Sequence, residues 1–261
     1  MTVAVIVQAR NGSSRLPGKV LEPIGDKPAL LWCLDRCEQI SGVDHVVCAV
    51  PDNRADDEVA ELAADAGYFV TRGPEDDVLG RYVKAAKEIG AKTIMRITSD
   101  CPLIDPDIAA KVLDLLFSSG VDYSCNNLPP KFPHGLDCEA FSADLLFAAN
   151  EQAKTAYEWE HVTPWIRNHP SLSRVNLLGP GGGLEQMRWT LDQPQDLEFF
   201  RALNDAFGEQ TCNASASELA AFCLRRPDLG QINQQHIDHA RLQDINRAGL
   251  QSAPSRLLEV A

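Results

Sequence analysis

The chain has 261 residues, 44% of them hydrophobic and 23% charged, which suits one α/β domain with its own core and a small extension. A formal charge of −13 and a pI near 4.8 argue against general affinity for nucleic acid or an anionic membrane surface, so an anionic ligand must be met by a local cluster of cations. No apolar run is long enough to span a bilayer, the opening residues lack the charge and length of a signal peptide, and the eight cysteines show no C-x-x-C spacing, so buried free thiols in a reducing cytoplasm are expected.

Hydrophobic periodicity then predicts the elements in order. A strand at 3–7 is followed by a helix at 28–40, with Leu30, Leu31, Leu34 and Cys37 on one face. Strands at 45–50, 68–70 and 93–97 alternate with helices at 56–66, 77–89 and 107–117, and a strand at 121–125 closes this part. Alternation of this kind predicts a mainly parallel sheet with helices on both faces and ligands beyond the carboxyl ends of its strands. The second half is less regular. It reads as a strand beginning at Leu136, a helix at 158–168, strands at 174–178 and 186–191 separated by "GPGGG", and a helix at 193–207. From 209 to the end the chain reads as polar helical pieces.

The opening stretch gathers positive charge. Residues 1–21 hold Arg10, Arg15 and Lys19 and no acid, directly after the first strand. In "QARNGSSRLPGK", Gly12 and Gly18 let the backbone approach an anion, and Ser13 and Ser14 add hydroxyl donors. Arg10 and Lys19 can bracket a polyphosphate, Arg as a planar fork and Lys as a point charge. The segment is neither G-x-x-x-x-G-K-[ST] nor G-x-G-x-x-G. Composition alone leaves a nucleoside triphosphate loop and a solvated basic loop equally open.

Acids follow at two later strand ends. Asp100, in "ITSDCPLIDP", would present its carboxylate at the carboxyl edge of the sheet, where a hard divalent cation takes one or two such ligands. Capping a turn is the other reading, and it suits Asp105 before Pro106 better. Asp192 ends an apolar run before Pro194, so it either faces that edge or caps the next helix. Asp196 lies in that helix's first turn, where an acid suits the macrodipole. "TRGPEDDVLGRY" offers Arg72 toward the nucleotide edge and Asp77 at ion-pair spacing from Arg81. On the other half, "FPHGLDCE" and "WEH" offer His134, Asp137, Glu139, Glu160 and His161, and Arg188 stands on the run leading to Asp192. For His161, beside Trp159, Val162 and Trp165, a packed side chain is the plainer reading. Glycines 181–183 without a cation, and His236 with His239 without a third ligand, are set aside.

"QARNGSSRLPGKVL" with "DKPALLW", then "RGPEDDVLGRY", "MRITSDCPLIDP", "FPHGLDCEAFS", "EHVTPWI" and "TLDQPQDL", resemble in this order the cytidylyltransferases that make CMP-activated acidic sugars. That family includes CMP-Kdo and CMP-sialic acid synthetases, and the similarity is greatest to the branch named for spore-coat polysaccharide biosynthesis protein F. The resemblance implies a Rossmann-like, GT-A-like nucleotidyltransferase fold, a three-layer sandwich around a mainly parallel sheet. A domain at 1–208 is expected, with a nucleotide half at about 1–120 and an acceptor half at about 121–208, then a helical extension at 209–261.

The implied reaction is transfer of CMP from CTP to an acidic sugar or phosphonate-like acceptor, with release of pyrophosphate, for cell-surface polysaccharide synthesis. Under that resemblance Gln8, Ala9, Arg10, Gly12, Ser13, Ser14, Arg15, Lys19, Arg72 and Asp77 hold the nucleotide, with Arg10 and Lys19 catalytic. Asp100 and Asp192 hold Mg2+, and His134, Asp137, Glu139, Glu160, His161 and Arg188 meet the acceptor. A cytoplasmic homodimer is implied, with neither nucleic acid nor membrane as partner. The runner-up is a nucleotide-sugar-dependent glycosyltransferase of GT-A-like fold, which would release no pyrophosphate and would not need the paired cations of the first loop. More distant readings are a thiol hydrolase using Cys101 or Cys138 with His134, and a nucleotide-binding regulator without catalysis.

Overall fold

Along the first strand, Val3–Gln8 (β1), successive side chains part to opposite faces. Val3, Val5 and Val7 enter one core layer, and Ala4 and Ile6 enter the other. A strand buried on both faces needs helices on both. The computed structural model, which describes residues 1–242 and the strand Leu257–Val260, supplies them.

After β1 the chain makes a two-residue antiparallel ladder, Pro23–Ile24 (β2) with Lys27–Pro28 (β3), and enters helix Ala29–Glu38 (α1). Strand His45–Pro51 (β4), helix Asp57–Asp65 (α2), strand Phe69–Gly73 (β5), helix Val78–Glu88 (α3), strand Thr93–Thr98 (β6) and helix Pro106–Ser119 (α4) complete the alternating part. Strands Tyr123–Cys125 (β7) and Glu139–Ser142 (β8) come next, then helices Ala143–Gln152 (α5), Ala156–His161 (α6) and Pro164–Asn168 (α7). Strand Arg174–Leu177 (β9), helices Pro194–Phe207 (α8), Ala216–Arg225 (α9) and Pro227–Gln231 (α10), and strand Leu257–Val260 (β10) end the order.

One sheet runs β10-β9-β7-β8-β6-β1-β4-β5, parallel throughout except for β8, which is antiparallel to β6 and β7. Apolar residues of α1, α2 and α4 cover one face, and those of α3, α5 and α7 cover the other. This is the mainly parallel three-layer arrangement that the alternation implies. Because β1 lies between β4 and β6, the loops leaving β1 and β6 open side by side at the carboxyl edge. A third core joins Trp189, Leu191, Phe199, Phe200 and Leu203 to Leu219, Cys223 and Leu229 of the C-terminal helices. No helix among the described residues is long and apolar enough to cross a membrane. All eight cysteines are free thiols, and only Cys212 is not buried.

Several local expectations are corrected. The helix expected at 158–168 is two helices. Val162 takes φ +67° in a tight turn where Thr163 N–H donates to His161 O at 2.7 Å, and Pro164 has no N–H with which to continue α6. Residues 186–191 form no strand of the sheet, because their backbone partners lie in loops: His134 N–H donates to Met187 O, and Trp189 N–H donates to His134 O. The third strand runs on to Gly73, so Thr71 and Arg72 lie within β5 and not in the loop after it. Helix α5 was not expected, although Ser142, which accepts from Leu145 N–H, is an ordinary N-cap residue. Leu257–Val260 is a strand where helical pieces were expected; the rest of the tail beyond 242 lies outside the described residues.

Candidate active site

The loop after β1 is held in a fixed shape. Gly18 takes φ +73° and returns its N–H to Asn11 O at 3.0 Å, a closure that favours glycine. Asn11 is anchored in turn: its backbone N–H donates to the buried Asp56 carboxylate, and its side chain donates to Ala55 O at 3.0 Å. Gly12 is under no such demand, since an added Cβ would meet only Glu75 Oε1 at 3.5 Å. The fixed loop carries Lys19 inward, where its side chain is only 13% exposed.

Lys19 Nζ lies 2.6 Å from Asp192 Oδ1 and 3.4 Å from Asp100 Oδ2. Arg15 Nη2 lies 3.0 Å from the other oxygen of Asp192. The two acids are brought together by the backbone. Asp100 O accepts from Leu191 N–H at 2.8 Å and from the Thr190 hydroxyl at 3.2 Å, so the segment leading to Asp192 is tied to the turn that follows β6. Helix capping does not use the Asp192 carboxylate. Asp196 does that work, accepting the backbone N–H groups of Asp192 and Gln193 at 2.9 and 2.8 Å.

Burial works to lower the Lys19 pKa, but the charges of Asp100 and Asp192 outweigh it and hold the ammonium above its ordinary value. Burial pushes the Asp100 carboxyl up, but Lys19 and the hydrogen bond from the Thr98 hydroxyl win and hold it below the ordinary carboxylate range. Lys19 and Asp100 are therefore both charged at neutral pH.

These groups line an open cleft of about 310 Å³. The lining includes Gln8, Ala9, Arg10, Gly12, Ser13, Ser14, Arg15 and Lys19 from the first loop, Asp100 and Asp192, and Glu160 and His161 from α6. The structure thus gathers twelve of the residues singled out in the sequence, from four separate segments. It also includes Arg81, which the sequence offered beside Asp77, and adds Val78, Arg96, Thr98 and Ser99. Arg81, 2% exposed, donates through Nη1 to Pro74 O and Glu75 O, and its Nε has no partner among the described residues. Arg96 donates through Nη1 to Glu139 at 2.8 Å, and its buried Nε also has no partner among the described residues. One signal for Arg96 was available in the sequence: it is the single charge inside the strand "TIMRIT".

Six of the residues expected at the site do not line the cleft. Arg72 is bound to Asp57 at 2.6 Å and to the carbonyls of Pro51 and Asn53, because β5 carries it past the nucleotide edge. Asp77 caps α3, accepting from Gly80 N–H at 2.8 Å, and makes no ion pair with Arg81. His134 is mostly buried behind the Arg188–Leu191 segment; burial holds its imidazole below the ordinary value, even though nearby Asp137 favours the charged form. Asp137 pairs with Arg241 at 2.7 Å. Arg188 makes a two-pronged pair with Asp196 at 2.8 and 2.7 Å. Glu139, 1% exposed, accepts from Arg96, the Tyr123 hydroxyl and the Thr163 hydroxyl, with Arg167 at 3.7 Å. Burial opposes the Glu139 charge, but Arg96 and Arg167 hold its pKa below the ordinary carboxylate value.

A family model described as cytidylyltransferase matches residues 4–221. The chain is 36% identical over 233 residues to the spore coat polysaccharide biosynthesis protein SpsF of Bacillus subtilis (strain 168), covering 87% of this chain and 95% of that protein. The structure of a cytidylyltransferase from Leptospira borgpetersenii serovar Hardjo-bovis aligns with a TM-score of 0.83 at 31% identity, over 88% of this chain and 97% of that one. The structure of CMP:2-keto-3-deoxy-manno-octonic acid synthetase complexed with CTP aligns with a TM-score of 0.59 at 18% identity, over 79% of this chain and 100% of that one, a likeness of fold. These matches give the nucleotidyltransferase form of the Rossmann-like fold and do not favour a glycosyltransferase. The chain belongs to the cytidylyltransferase family and is a nucleotidyltransferase.

Proposed function

We propose that the protein transfers CMP from CTP to an acidic sugar, with Mg2+ as cofactor and release of pyrophosphate, and so makes an activated precursor for a surface polysaccharide. The observation that carries this reading is the place of Lys19, at the inner end of a basic loop and between Asp100 and Asp192. The family supports cytidine as the nucleoside. The name of the spore coat relative speaks of polysaccharide biosynthesis, and that of the CTP-bound structure speaks of an acidic sugar.

The residues present fit a hard divalent cation. Asp100 and Asp192 both face the cleft, and both already converge on one cation, the Lys19 ammonium, at 3.4 and 2.6 Å. Among the described residues no third His, Cys, Asp or Glu joins them. That suits Mg2+, which keeps waters and phosphate oxygens among its ligands. A bound Mg2+ supplies charge neutralisation at those oxygens.

The chain's own groups do the rest by position and charge. Arg10 offers a planar fork and Lys19 a point charge to the β- and γ-phosphates, and Arg15 adds a third cation at the rim. An acceptor oxygen attacks the α-phosphorus in line, the bond to the bridging oxygen breaks, and pyrophosphate leaves against Lys19 and Arg10. Arg96, whose guanidinium lines the cleft and pairs with Glu139, meets the carboxylate of the sugar.

CTP labelled at the α-phosphate or at the γ-phosphate, supplied with acidic sugars, tests this reading. The α label is expected in the sugar product and the γ label in pyrophosphate. Unreacted CTP with every acidic sugar, or sugar transfer without pyrophosphate, contradicts it.

A further inference from the structure

The buried carboxylate of Asp196 takes five hydrogen bonds. Oδ1 accepts from Arg188 Nε at 2.8 Å and from Asn233 Nδ2 at 3.0 Å. Oδ2 accepts from Arg188 Nη2 at 2.7 Å and from the backbone N–H groups of Asp192 and Gln193 at 2.9 and 2.8 Å. A carboxyl group that is 0% exposed needs such donors in place of water. The same Asn233 amide also donates to Arg188 O at 3.0 Å, so both of its hydrogens are spent, one on each end of the 188–196 segment.

Asp192 lies between those two ends. Its N–H is fixed by Asp196 while its own carboxylate turns to Lys19 and Arg15. Asn233, 2% exposed, comes from residues beyond the stretch that the family model matches, which ends at 221. Arg241, further along the same extension, is tied to Asp137 in the neighbouring loop at 2.7 Å.

We infer that Asn233 is a positioning residue for Asp192: it completes the donor shell of Asp196 and thereby fixes the backbone from which Asp192 reaches the cleft. The C-terminal extension is then part of how the site is built, not only a cover for the third core. This inference rests on the proposed metal-holding role of Asp192. Groups that orient a ligand from behind typically change metal affinity by about 10- to 100-fold when they are lost, whereas a purely structural residue changes only the fraction of folded chains.

The test uses Mn2+ alone as the probe, followed by water-proton relaxation with the full chain, on wild type, Asn233→Ala, Asn233→Ser and Asp192→Asn. Thermal unfolding of each variant shows that it is folded at the temperature of measurement. Asn233→Ala is expected to weaken Mn2+ binding by about tenfold. Asn233→Ser, which keeps one donor, is expected to weaken it less and carries the comparison if the alanine variant does not fold. Asp192→Asn is expected to weaken it most. Wild-type affinity in both Asn233 variants, with binding lost in Asp192→Asn, overturns the positioning role and leaves the metal reading standing. Wild-type affinity in Asp192→Asn overturns both.

Discussion

The ammonium of Lys19 lies 2.6 Å from a carboxylate oxygen of Asp192, across 173 residues of chain. Two backbone devices make the meeting possible. The glycine closure at Gly18 turns the first loop inward, and the Asp100 carbonyl accepts Leu191 N–H, so the last acid is fastened to the turn after β6, the strand beside β1.

Removing either acid should cost chemistry before it costs folding. Asp192→Asn and Asp100→Asn are each expected to lower kcat by at least about 10², the scale of losing one charge-stabilising group at a reacting centre. Neither carboxylate caps a helix or fills the core, so thermal unfolding of each variant should stay close to wild type. Pyrophosphate release against Mg2+ concentration checks the first expectation, and a calorimetric scan checks the second.

Arg96 should separate the two substrates. Under the proposed function its guanidinium, which lines the cleft, meets the acceptor, and a hydrogen bond to a charged group contributes about 1.5–3 kcal/mol. Arg96→Lys keeps a cation beside Glu139 but loses the fork, so KM for an acidic sugar is expected to rise about tenfold or more while KM for CTP stays put. Equal changes in both constants would remove Arg96 from the acceptor side.

The Glu139 cluster gives a pH dependence with a definite sign. Its folded-state pKa is held below the ordinary value of 4.5. The stability it contributes is therefore complete above that value and is lost as pH falls through the depressed one. Glu139→Gln leaves Arg96 and Arg167 without their acid and is expected to cost about 3 kcal/mol at neutral pH. The gap to wild type should close on acidification, which urea unfolding at a series of pH values measures. A gap that widens in acid would contradict the assignment.

Gly135 supports the segment that carries Asp192. It takes φ +112°, and an added Cβ would stand 2.2 Å from Trp189 O, a backbone atom that cannot turn aside. Gly135→Ala is expected to cost at least about 2 kcal/mol and to lower activity with it, because Trp189 and Leu191 move together. Urea unfolding and the pyrophosphate assay on one preparation check both effects.

The parts of this site legible in the sequence were those written in local pattern. Val3–Val7 is apolar at every position, which a central parallel strand requires, and the cations after it stand out in an acidic chain. The two readings of Asp192 stayed open because capping depends on which acid reaches the N–H groups, and the structure gives that work to Asp196. Glu139, Asp137 and Arg188 read as acceptor ligands because their ion-pair partners come from other elements: Arg96 and Arg167, Arg241, and Asp196. Arg72 was misplaced by a strand end set at 70, when β5 runs to Gly73. The run at 186–191 looks like a strand, but its backbone partners are loops, which periodicity does not encode.

Lys19 is where the basic loop and both acids meet, so its loss tests the account most directly. Pyrophosphate release from CTP by Lys19→Ala, at saturating acidic sugar and Mg2+, is expected to fall by at least about 10² relative to wild type. Release at the wild-type rate in that variant would contradict the central claim.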